Sequence, residues 1–281
     1  MANILIIGCG SLGLALAEQL LAAGHQVTGL RRNPPPATTA LRFIRGDIAN
    51  AADLAQLPTD FDSVYFIVSP DGRDNADSYR AIYDTGLNQL LAHFAAAQAH
   101  PQWLLVSSTS VYAQNHGEWV DEHSSAEPDN ANSQLIRLAE QKLLALNPHN
   151  LVVRFSGIYG PGREYLLRMA KTAPAIQHTP PYYTNRIHQD DCVAVLAFLL
   201  AQHLAGVVLP QVILASDDDP ASQWEVISWL AEQLHSPAPT AKITAATAGQ
   251  NKRCNNSGLK ALGYQFRYPS YKEGYLALIG R

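Results

Sequence analysis

Short apolar runs alternate with longer stretches of helical periodicity through the first half of the chain. Residues 4–7 are continuously apolar, as is typical of a strand buried on both faces of a parallel sheet. Residues 11–23 are rich in Leu and Ala and end at Gly24, a residue that often stops a helix. The same apolar pattern predicts further strands at residues 26–30, 41–45, 64–68, 103–107 and 151–155.

Helical periodicity fills several of the intervals between and after these strands. One helical face carries apolar residues spaced three or four apart, namely Tyr83, Leu87, Leu90, Leu91 and Phe94. Further helices are predicted at residues 134–146, 190–204 and 222–234. Repeated strand–helix units place the protein in the α/β class. They predict a Rossmann-type, doubly wound parallel sheet with helices on both faces.

Composition narrows the range of partners. The chain has 281 residues, 47% of them hydrophobic, which is enough for a sizeable core. Charged residues make up 16% and the net charge is -4, which argues against a nucleic-acid surface. No signal peptide is visible, and no apolar run approaches the roughly 18 to 20 residues that span a bilayer. We therefore expect a cytoplasmic protein without membrane contact.

The cysteines give no sign of a metal site. Cys9, Cys192 and Cys254 lie far apart and in no metal-binding spacing, so we expect reduced thiols and no metal.

A glycine-rich loop follows the first predicted strand and opens the first predicted helix. Its sequence is Gly8-Cys9-Gly10-Ser11-Leu12-Gly13. Glycines let the backbone approach a pyrophosphate, whose charge the helix N-terminus stabilises through free amides and the helix dipole. The loop thus predicts dinucleotide binding, with a plain strand-to-helix turn as the alternative. Cys9 is interpreted as a small residue that fills the loop, with a reactive thiol of low pKa at the helix N-terminus as the alternative.

The end of the second predicted strand distinguishes between two nicotinamide cofactors. NAD-binding folds usually place Asp or Glu there to bind the ribose 2′-hydroxyl. This chain has Arg31 and Arg32 instead, and a guanidinium group suits a 2′-phosphate. The sequence therefore favours NADP(H) over NAD(H), unless the two arginines are only a solvated strand end.

Two later segments also fit cofactor contact. Asp47 and Ile48 follow the third predicted strand, where the adenine is expected, and Asp47 is equally well placed to be a helix N-cap. Ser69 follows the fourth predicted strand near the expected nicotinamide ribose, although it also suits a turn.

The domain organisation follows from these assignments. We expect residues 1–155 to form the NADP(H)-binding Rossmann core, with later segments such as 185–215 returning to it. Residues 156–281 are expected to form mainly a small C-terminal substrate lobe. Frequent Pro and Tyr at residues 174–183 predict an irregular loop over a ligand site.

Four ordered motifs carry a family resemblance. They are the glycine loop, LVSSTSVY at residues 105–112, VRFSGIYGPGR at 153–163 and RIHQDD at 186–191. With them the chain resembles the short-chain dehydrogenase/reductase superfamily, in particular its extended branch of NAD-dependent epimerases and dehydratases. The C-terminal KRCNN at 252–256 and LGY at 262–264 are similar to the bacterial YeeZ-like group. Two-helix dimer contacts are common in the superfamily, so the resemblance also allows a homodimer.

The resemblance implies a catalytic Ser or Thr after the fifth strand and a Tyr-x-x-x-Lys on the next helix. Ser108 matches the Ser position, and Thr109 is the nearby substitute. The Tyr-x-x-x-Lys pair is missing: Asn132 or Ser133 stands at the Tyr position, and Ile136 or Arg137 at the Lys position. Arg137 still suits contact with the ribose, but it keeps its proton and is no base.

Other features also mark the chain as an atypical member. Extended members usually show Gly-x-x-Gly-x-x-Gly, and Ile7 occupies the first of those glycine positions. Tyr268 and Lys272 alone have the spacing of the catalytic pair, but they lie in the C-terminal tail, where we interpret the match as chance.

Several titratable or polar residues are candidates to face the substrate. His188 titrates near neutrality and would be a natural acid/base, although in the family this segment mainly shapes the substrate lobe. Tyr112 is interpreted as part of a pocket wall in preference to a general acid. Arg154 and Arg163 suit an anionic substrate group, and Arg154 suits a structural ion pair equally well. The remaining substrate candidates are Tyr159, Tyr182 and Tyr183, the last two as an aromatic lid or as plain loop packing.

Three functions fit the sequence. The first is an atypical NADP(H)-dependent oxidoreductase acting on a small carbonyl or alcohol. The second is a nucleotide-sugar epimerase or dehydratase, against which the missing Tyr-x-x-x-Lys pair and the short lobe argue. The third is a non-catalytic NADP(H)-binding redox sensor, which the missing pair favours.

Overall fold

The computed structural model describes residues 1–35, 41–72, 75–244 and 249–280. The strands are β1 Asn3–Ile7, β2 Gln26–Arg31, β3 Arg42–Arg45, β4 Ser63–Phe66, β5 Gln102–Ser108, β6 Glu118–Val120, β7 Leu151–Phe155, β8 Gly157–Tyr159, β9 Ala175–Thr179, β10 Arg186–His188, β11 Val212–Ala215, β12 Thr240–Ile243 and β13 Lys252–Cys254. The α-helices are α1 Ser11–Ala22, α2 Ala51–Leu54, α3 Ala76–Arg80, α4 Leu87–Ala96, α5 Ala131–Leu146, α6 Tyr165–Ala170, α7 Gln189–Leu204, α8 Gln223–Gln233, α9 Ser257–Ala261 and α10 Tyr271–Ile279.

A seven-stranded sheet forms the centre of the fold, in the order β11-β7-β5-β4-β1-β2-β3. β1 pairs in parallel with both β2 and β4, so that Ile4 lies opposite Val27 on one side and Ser63 on the other. The apolar residues 4–7 are fully buried because the strand is covered on both faces. The predicted α/β class and Rossmann-type parallel sheet are confirmed.

The strand order reverses beside β1. The chain proceeds outward from β1 to β2 and β3, then crosses to β4 on the other side of β1. Ligands of open α/β sheets bind at the carboxyl ends of the strands at such a switch point. The glycine loop follows β1 and therefore lies at this position.

The chain divides into two compact units. The first contains residues 1–111, 127–153 and 196–212, and the second contains 112–126, 154–195 and 213–281. The second unit has its own apolar core, which includes Tyr159, Ile176, Leu230 and Tyr275.

Part of the predicted irregular loop at residues 174–183 is a strand, so that prediction was wrong in part. β9 occupies Ala175–Thr179 and pairs in parallel with β12. The prolines at 174, 180 and 181 flank this strand rather than interrupt it.

The helix that follows β4 is not uniform. A π-helical turn, Ala81–Gly86, joins α3 to α4. A Cβ on Gly86 would stand 2.6 Å from Cγ1 of Ile48, so the glycine lets this turn pack closely against Ile48.

Candidate functional site

The glycine loop has the backbone geometry of a tight strand-to-helix turn. Gly8 has φ +85°, and a Cβ there would stand 2.6 Å from the carbonyl oxygen of Ile67. A Cβ on Gly13 would stand 2.9 Å from the carbonyl oxygen of Gly8. Both positions thus require glycine for the close approach of backbone segments.

Gly10 differs from these two glycines. A Cβ on this residue would meet no atom within 4 Å, because Gly10 faces open space. Gly10 is also the N-cap of α1, and as a glycine it has no side chain to bond to the first turn of the helix. The helix N-terminus thus presents backbone amides and the positive end of its dipole beside this space. The loop fits the pyrophosphate of a dinucleotide.

Cys9 fills the interior of the loop. It is fully buried, and its Sγ lies 2.9 Å from the position of a Cβ on Gly29. Burial raises the pKa of the Cys9 thiol to about 11, against the opposing effect of Arg31, so the thiol stays protonated near neutral pH. All three cysteines are buried.

The two arginines at the end of β2 take different positions. Nη1 of Arg31 donates to the carbonyl oxygen of Cys9 at 3.1 Å, which holds this guanidinium against the glycine loop. Nη2 of Arg32 lies 2.9 Å from the carboxylate of Asp71, and both side chains are more than half exposed. An exposed ion pair of this kind contributes little to stability, so Arg32 exchanges partners at small cost.

The segments after β3 and β4 border the same edge of the sheet. The Asp47 carboxylate accepts from the backbone amide of Ala49 at 2.9 Å, which makes a local turn, while Asn50 caps α2. Ile48 is buried, whereas Ser69 is exposed after β4.

Ser108 and Thr109 lie where β5 ends. Oγ of Ser108 accepts from the backbone amide of Ser110 at 3.1 Å, and the residue is only partly buried. Thr109 is buried and begins a single 3-10 turn that runs to Val111. Of the two, Ser108 has the more accessible hydroxyl.

The first turns of α5 carry the positions at which the resemblance expects a Tyr and a Lys. Ser133 is buried, and its hydroxyl donates to Oγ of Ser110 at 3.0 Å. Ile136 is buried as well. Because a serine hydroxyl does not titrate near neutral pH, this pair of hydroxyls is no substitute for a phenol as a proton donor.

Arg137 is held by a buried carboxylate that the sequence analysis missed. Its Nη1 lies 2.9 Å from one oxygen of Glu140, a residue with no exposed surface. Oγ of Ser107 donates to the other oxygen at 2.5 Å. The i,i+3 spacing of Arg137 and Glu140 was a visible signal, but spacing alone does not reveal that the acid is buried.

In the second unit, His188 is enclosed by aromatic rings. Its ring centroid lies 4.1 Å from that of Tyr268 and 5.2 Å from that of Tyr159. Nδ1 of His188 accepts from the backbone amide of Asp190 at 3.2 Å. The residue is 1% exposed, so within this unit it is part of a packed core.

Asp191, the last residue of the RIHQDD motif, anchors the C-terminal segment. It is fully buried, and it accepts hydrogen bonds from the Tyr264 hydroxyl at 2.8 Å and from the backbone amides of Arg267 and Tyr268 at 2.8 and 3.0 Å. These contacts tie the RIHQDD motif to the segment that begins with LGY.

Tyr112 and Arg154 are buried partners. Nη1 of Arg154 donates to the Tyr112 hydroxyl at 3.0 Å, and this hydroxyl donates to the carbonyl oxygen of Asp121 at 2.7 Å. Burial raises the pKa of Tyr112 to about 12, although Arg154 opposes the shift. The phenol therefore remains protonated near neutral pH. This agrees with a structural role for Tyr112 and Arg154.

The remaining substrate candidates do not share one location within the second unit. Arg163 is exposed before α6. The Tyr182 hydroxyl donates to the carbonyl oxygen of Gly249 at 3.4 Å, and burial raises the Tyr182 pKa. The ring of Tyr183 faces the guanidinium group of Arg253 at 4.8 Å.

The model of the NAD dependent epimerase/dehydratase family matches residues 4–208 of the chain. The protein belongs to the NAD dependent epimerase/dehydratase family. This assignment confirms the resemblance to the extended short-chain dehydrogenases, and it makes the protein a member of an NAD(P)-dependent family.

Relatives of this family member extend over its whole length. It is similar to a Methylobacillus flagellatus structure described as an NAD-dependent epimerase/dehydratase, with 34% identity, TM-score 0.84, and 99% and 98% of the two chains covered. It is 26% identical to Protein YeeZ of Escherichia coli (strain K12), over 96% of this chain and 97% of that protein. The fold is shared with MoeE5 in complex with UDP-glucose and NAD, at 21% identity and TM-score 0.75 over 97% and 95% of the chains.

Within the described ranges, the family member has no helix long and apolar enough to cross a membrane.

Proposed function

We propose that this protein is an NADP(H)-dependent oxidoreductase that acts on a small carbonyl or alcohol compound. The observation that carries the proposal is the pair Arg31 and Arg32 at the end of β2, where Arg31 donates to the Cys9 carbonyl oxygen of the glycine loop. A carboxylate, which would accept from a ribose 2′-hydroxyl, is absent from this strand end, where Arg31 and Arg32 stand instead.

The pyrophosphate, 2′-phosphate and adenine of the cofactor each have a matching group in the first unit. The amides at the start of α1 would bind the pyrophosphate, and Arg32 would exchange Asp71 for the 2′-phosphate. Arg31, held against the loop by the Cys9 carbonyl, adds positive charge there. The unshared oxygen of Asp47 suits the adenine amine. When bound, NADP(H) supplies or accepts a hydride.

The chain's own groups favour orientation of a substrate over proton transfer to it. Ser108 presents a partly accessible hydroxyl at the end of β5, and Thr109 lies next to it. Arg137, fixed by Glu140, would contact the ribose. Neither titratable candidate is favoured for the proton, because burial raises the Tyr112 pKa to about 12 and His188 is only 1% exposed within its own unit.

A second candidate is a non-catalytic NADP(H) binder that reports redox state. The favouring observation is the Ser133–Ser110 hydroxyl pair at the position of the expected tyrosine, because neither hydroxyl titrates near neutral pH. A nucleotide-sugar epimerase or dehydratase is supported in general terms by neighbours such as MoeE5 with UDP-glucose, and the same hydroxyl pair weighs against it.

Two experiments test the proposal. Millimolar NADPH should raise the melting temperature of the protein, and failure of both NADPH and NADH to do so would remove the cofactor assignment. A panel of carbonyl and alcohol compounds, followed by NADPH absorbance, then separates enzyme from sensor. Turnover that is lost in Ser108→Ala supports the oxidoreductase, whereas binding without turnover of any compound favours the sensor.

A further inference from the structure

An open pocket of about 450 Å³ lies within the second unit. Aromatic and charged side chains dominate its lining, chiefly Trp119, Tyr183, Glu225, Arg253, Tyr271 and Lys272. Its size is in the range of small-molecule sites. None of these residues belongs to the first unit, which carries the glycine loop.

Two aromatic rings and a carbonyl oxygen hold Arg253 in a clamp. Its guanidinium carbon lies 4.9 Å from the ring centroid of Trp119 and 4.8 Å from that of Tyr183. Nε donates to the carbonyl oxygen of Gly117 at 2.8 Å. Gly117 also supports the clamp sterically, because a Cβ there would stand 3.2 Å from the Tyr183 ring.

The clamp leaves the terminal nitrogens of Arg253 unsatisfied. In the part of the chain that the structure describes, Nη1 and Nη2 have no hydrogen-bond acceptor, and no carboxylate lies within 4 Å of the guanidinium group. With two rings and the Nε hydrogen bond holding it, the guanidinium group is a preorganised fork that binds two oxygens of a carboxylate or phosphate with little further loss of side-chain entropy.

Two cations, Arg253 and Lys272, and two carboxylates, Asp219 and Glu225, line the pocket. Lys272 adds a second cation, and among the described residues no carboxylate pairs with its ammonium group. One oxygen of Glu225, Oε2, accepts from both the amide and the hydroxyl of Ser222 at 2.8 Å. Trp119 is 55% exposed, which is unusual for a tryptophan and leaves ring surface for stacking.

We propose that this pocket binds a small compound that joins a planar ring to a phosphate or carboxylate group. The Arg253 fork binds the oxyanion, Lys272 adds charge, and the exposed surface of Trp119 stacks on the ring. The site rests on contacts inside the second unit, and it does not depend on the cofactor assignment.

Isothermal titration calorimetry on the full chain tests the site with defined probes. Phenyl phosphate and benzoate represent the two oxyanions, while inorganic phosphate and phenol each carry one half of the recognised chemistry. Phenyl phosphate or benzoate should bind at least ten-fold more tightly than either half. Arg253→Lys keeps the charge but removes the fork, so it should weaken binding of the preferred probe about ten-fold.

Further variants show whether the probe binds in this pocket or elsewhere, and whether a loss of binding comes from misfolding. Lys272→Met should weaken the probe several-fold, which keeps the test decisive if Arg253→Lys does not fold. Lys242→Met, which removes an exposed lysine outside the pocket, should change nothing. Equal affinity in all folded variants would overturn the proposal. So would probe binding that is lost only in Arg32→Ala, because the probe would then occupy the glycine loop.

Discussion

A Cβ on Gly274 would overlap the hydroxyl oxygen of Tyr159, so α10 and β8 meet where only glycine fits. The next atom of the ring, Cζ, would stand 2.6 Å from this Cβ. The hydroxyl itself is buried and has no hydrogen-bond partner among the described residues. Close packing, rather than a polar contact, therefore fixes this junction in the second unit.

Gly274→Ala should destabilise the protein by about 2 kcal/mol. Helix propensity favours Ala by about 1 kcal/mol, but overpacking a rigid contact costs about 1–3 kcal/mol or more, and here the overlap involves a ring. Urea unfolding measures the difference. Tyr159→Phe should be close to neutral, since it removes an unpartnered hydroxyl, and the double variant should recover part of the loss. Additive effects of the two changes would contradict this account.

The first unit was predictable from the sequence to a large extent. The strand at residues 4–7 and the helix from Ser11 are visible because their apolar patterns are local and uninterrupted. The glycine loop is recognisable because its neighbours on both sides are regular elements. β9 was missed because it is short, flanked by prolines, and defined by pairing with a strand remote in the chain.

The pocket in the second unit could not be predicted in the same way. Arg253 and Gly117 are 136 residues apart, and β6 and β13 bring them together. Nothing in the local sequence around Trp119 indicates that its ring will cover a guanidinium group. Similarly, glutamate is an ordinary residue type for a helix surface, and only the packing of α5 makes Glu140 buried.

Gly8 and Gly10 should respond differently to the same substitution. Gly8→Ala should lower stability by about 2 kcal/mol because its φ is positive and its Cβ would meet the Ile67 carbonyl. Gly10→Ala should leave the melting temperature nearly unchanged, since its Cβ enters open space, but it should weaken NADPH binding. Thermal melts with and without NADPH measure both effects. Unchanged NADPH affinity in folded Gly10→Ala would place the cofactor elsewhere.

The Glu140 carboxylate should be more important for stability than the Ser107 hydroxyl that donates to it. Glu140→Ala removes a buried acid that accepts from Ser107 and pairs with Arg137, and it should cost about 3 kcal/mol. Ser107→Ala removes one charge-assisted hydrogen bond and should cost about 2 kcal/mol. Chemical denaturation ranks the two variants, with Glu140→Gln as the shape-matched control. A loss below about 1 kcal/mol in Glu140→Ala would disprove the role of Glu140.

Asp217 should make stability depend on pH. Burial raises its pKa well above 3.8, although Arg186 opposes the shift. The folded state therefore binds this proton more tightly than the unfolded state, and stability falls as pH rises from about 4 toward the folded-state pKa. Asp217→Asn removes this contribution. Urea unfolding between pH 5 and pH 8 should show that the variant gains stability relative to the native protein as pH increases. Parallel pH profiles would refute the assignment.

The affinities of NADPH and NADH in matched arginine variants test the cofactor assignment most directly. The native protein should bind NADPH more tightly, and the double variant Arg31→Ala, Arg32→Ala should lose at least about ten-fold in NADPH affinity, as expected for charge-assisted hydrogen bonds to phosphate. NADH affinity should barely change. Arg42→Ala, an exposed arginine at the opposite end of the neighbouring strand, should affect neither cofactor. Equal losses of NADPH and NADH affinity in the double variant would contradict the 2′-phosphate assignment.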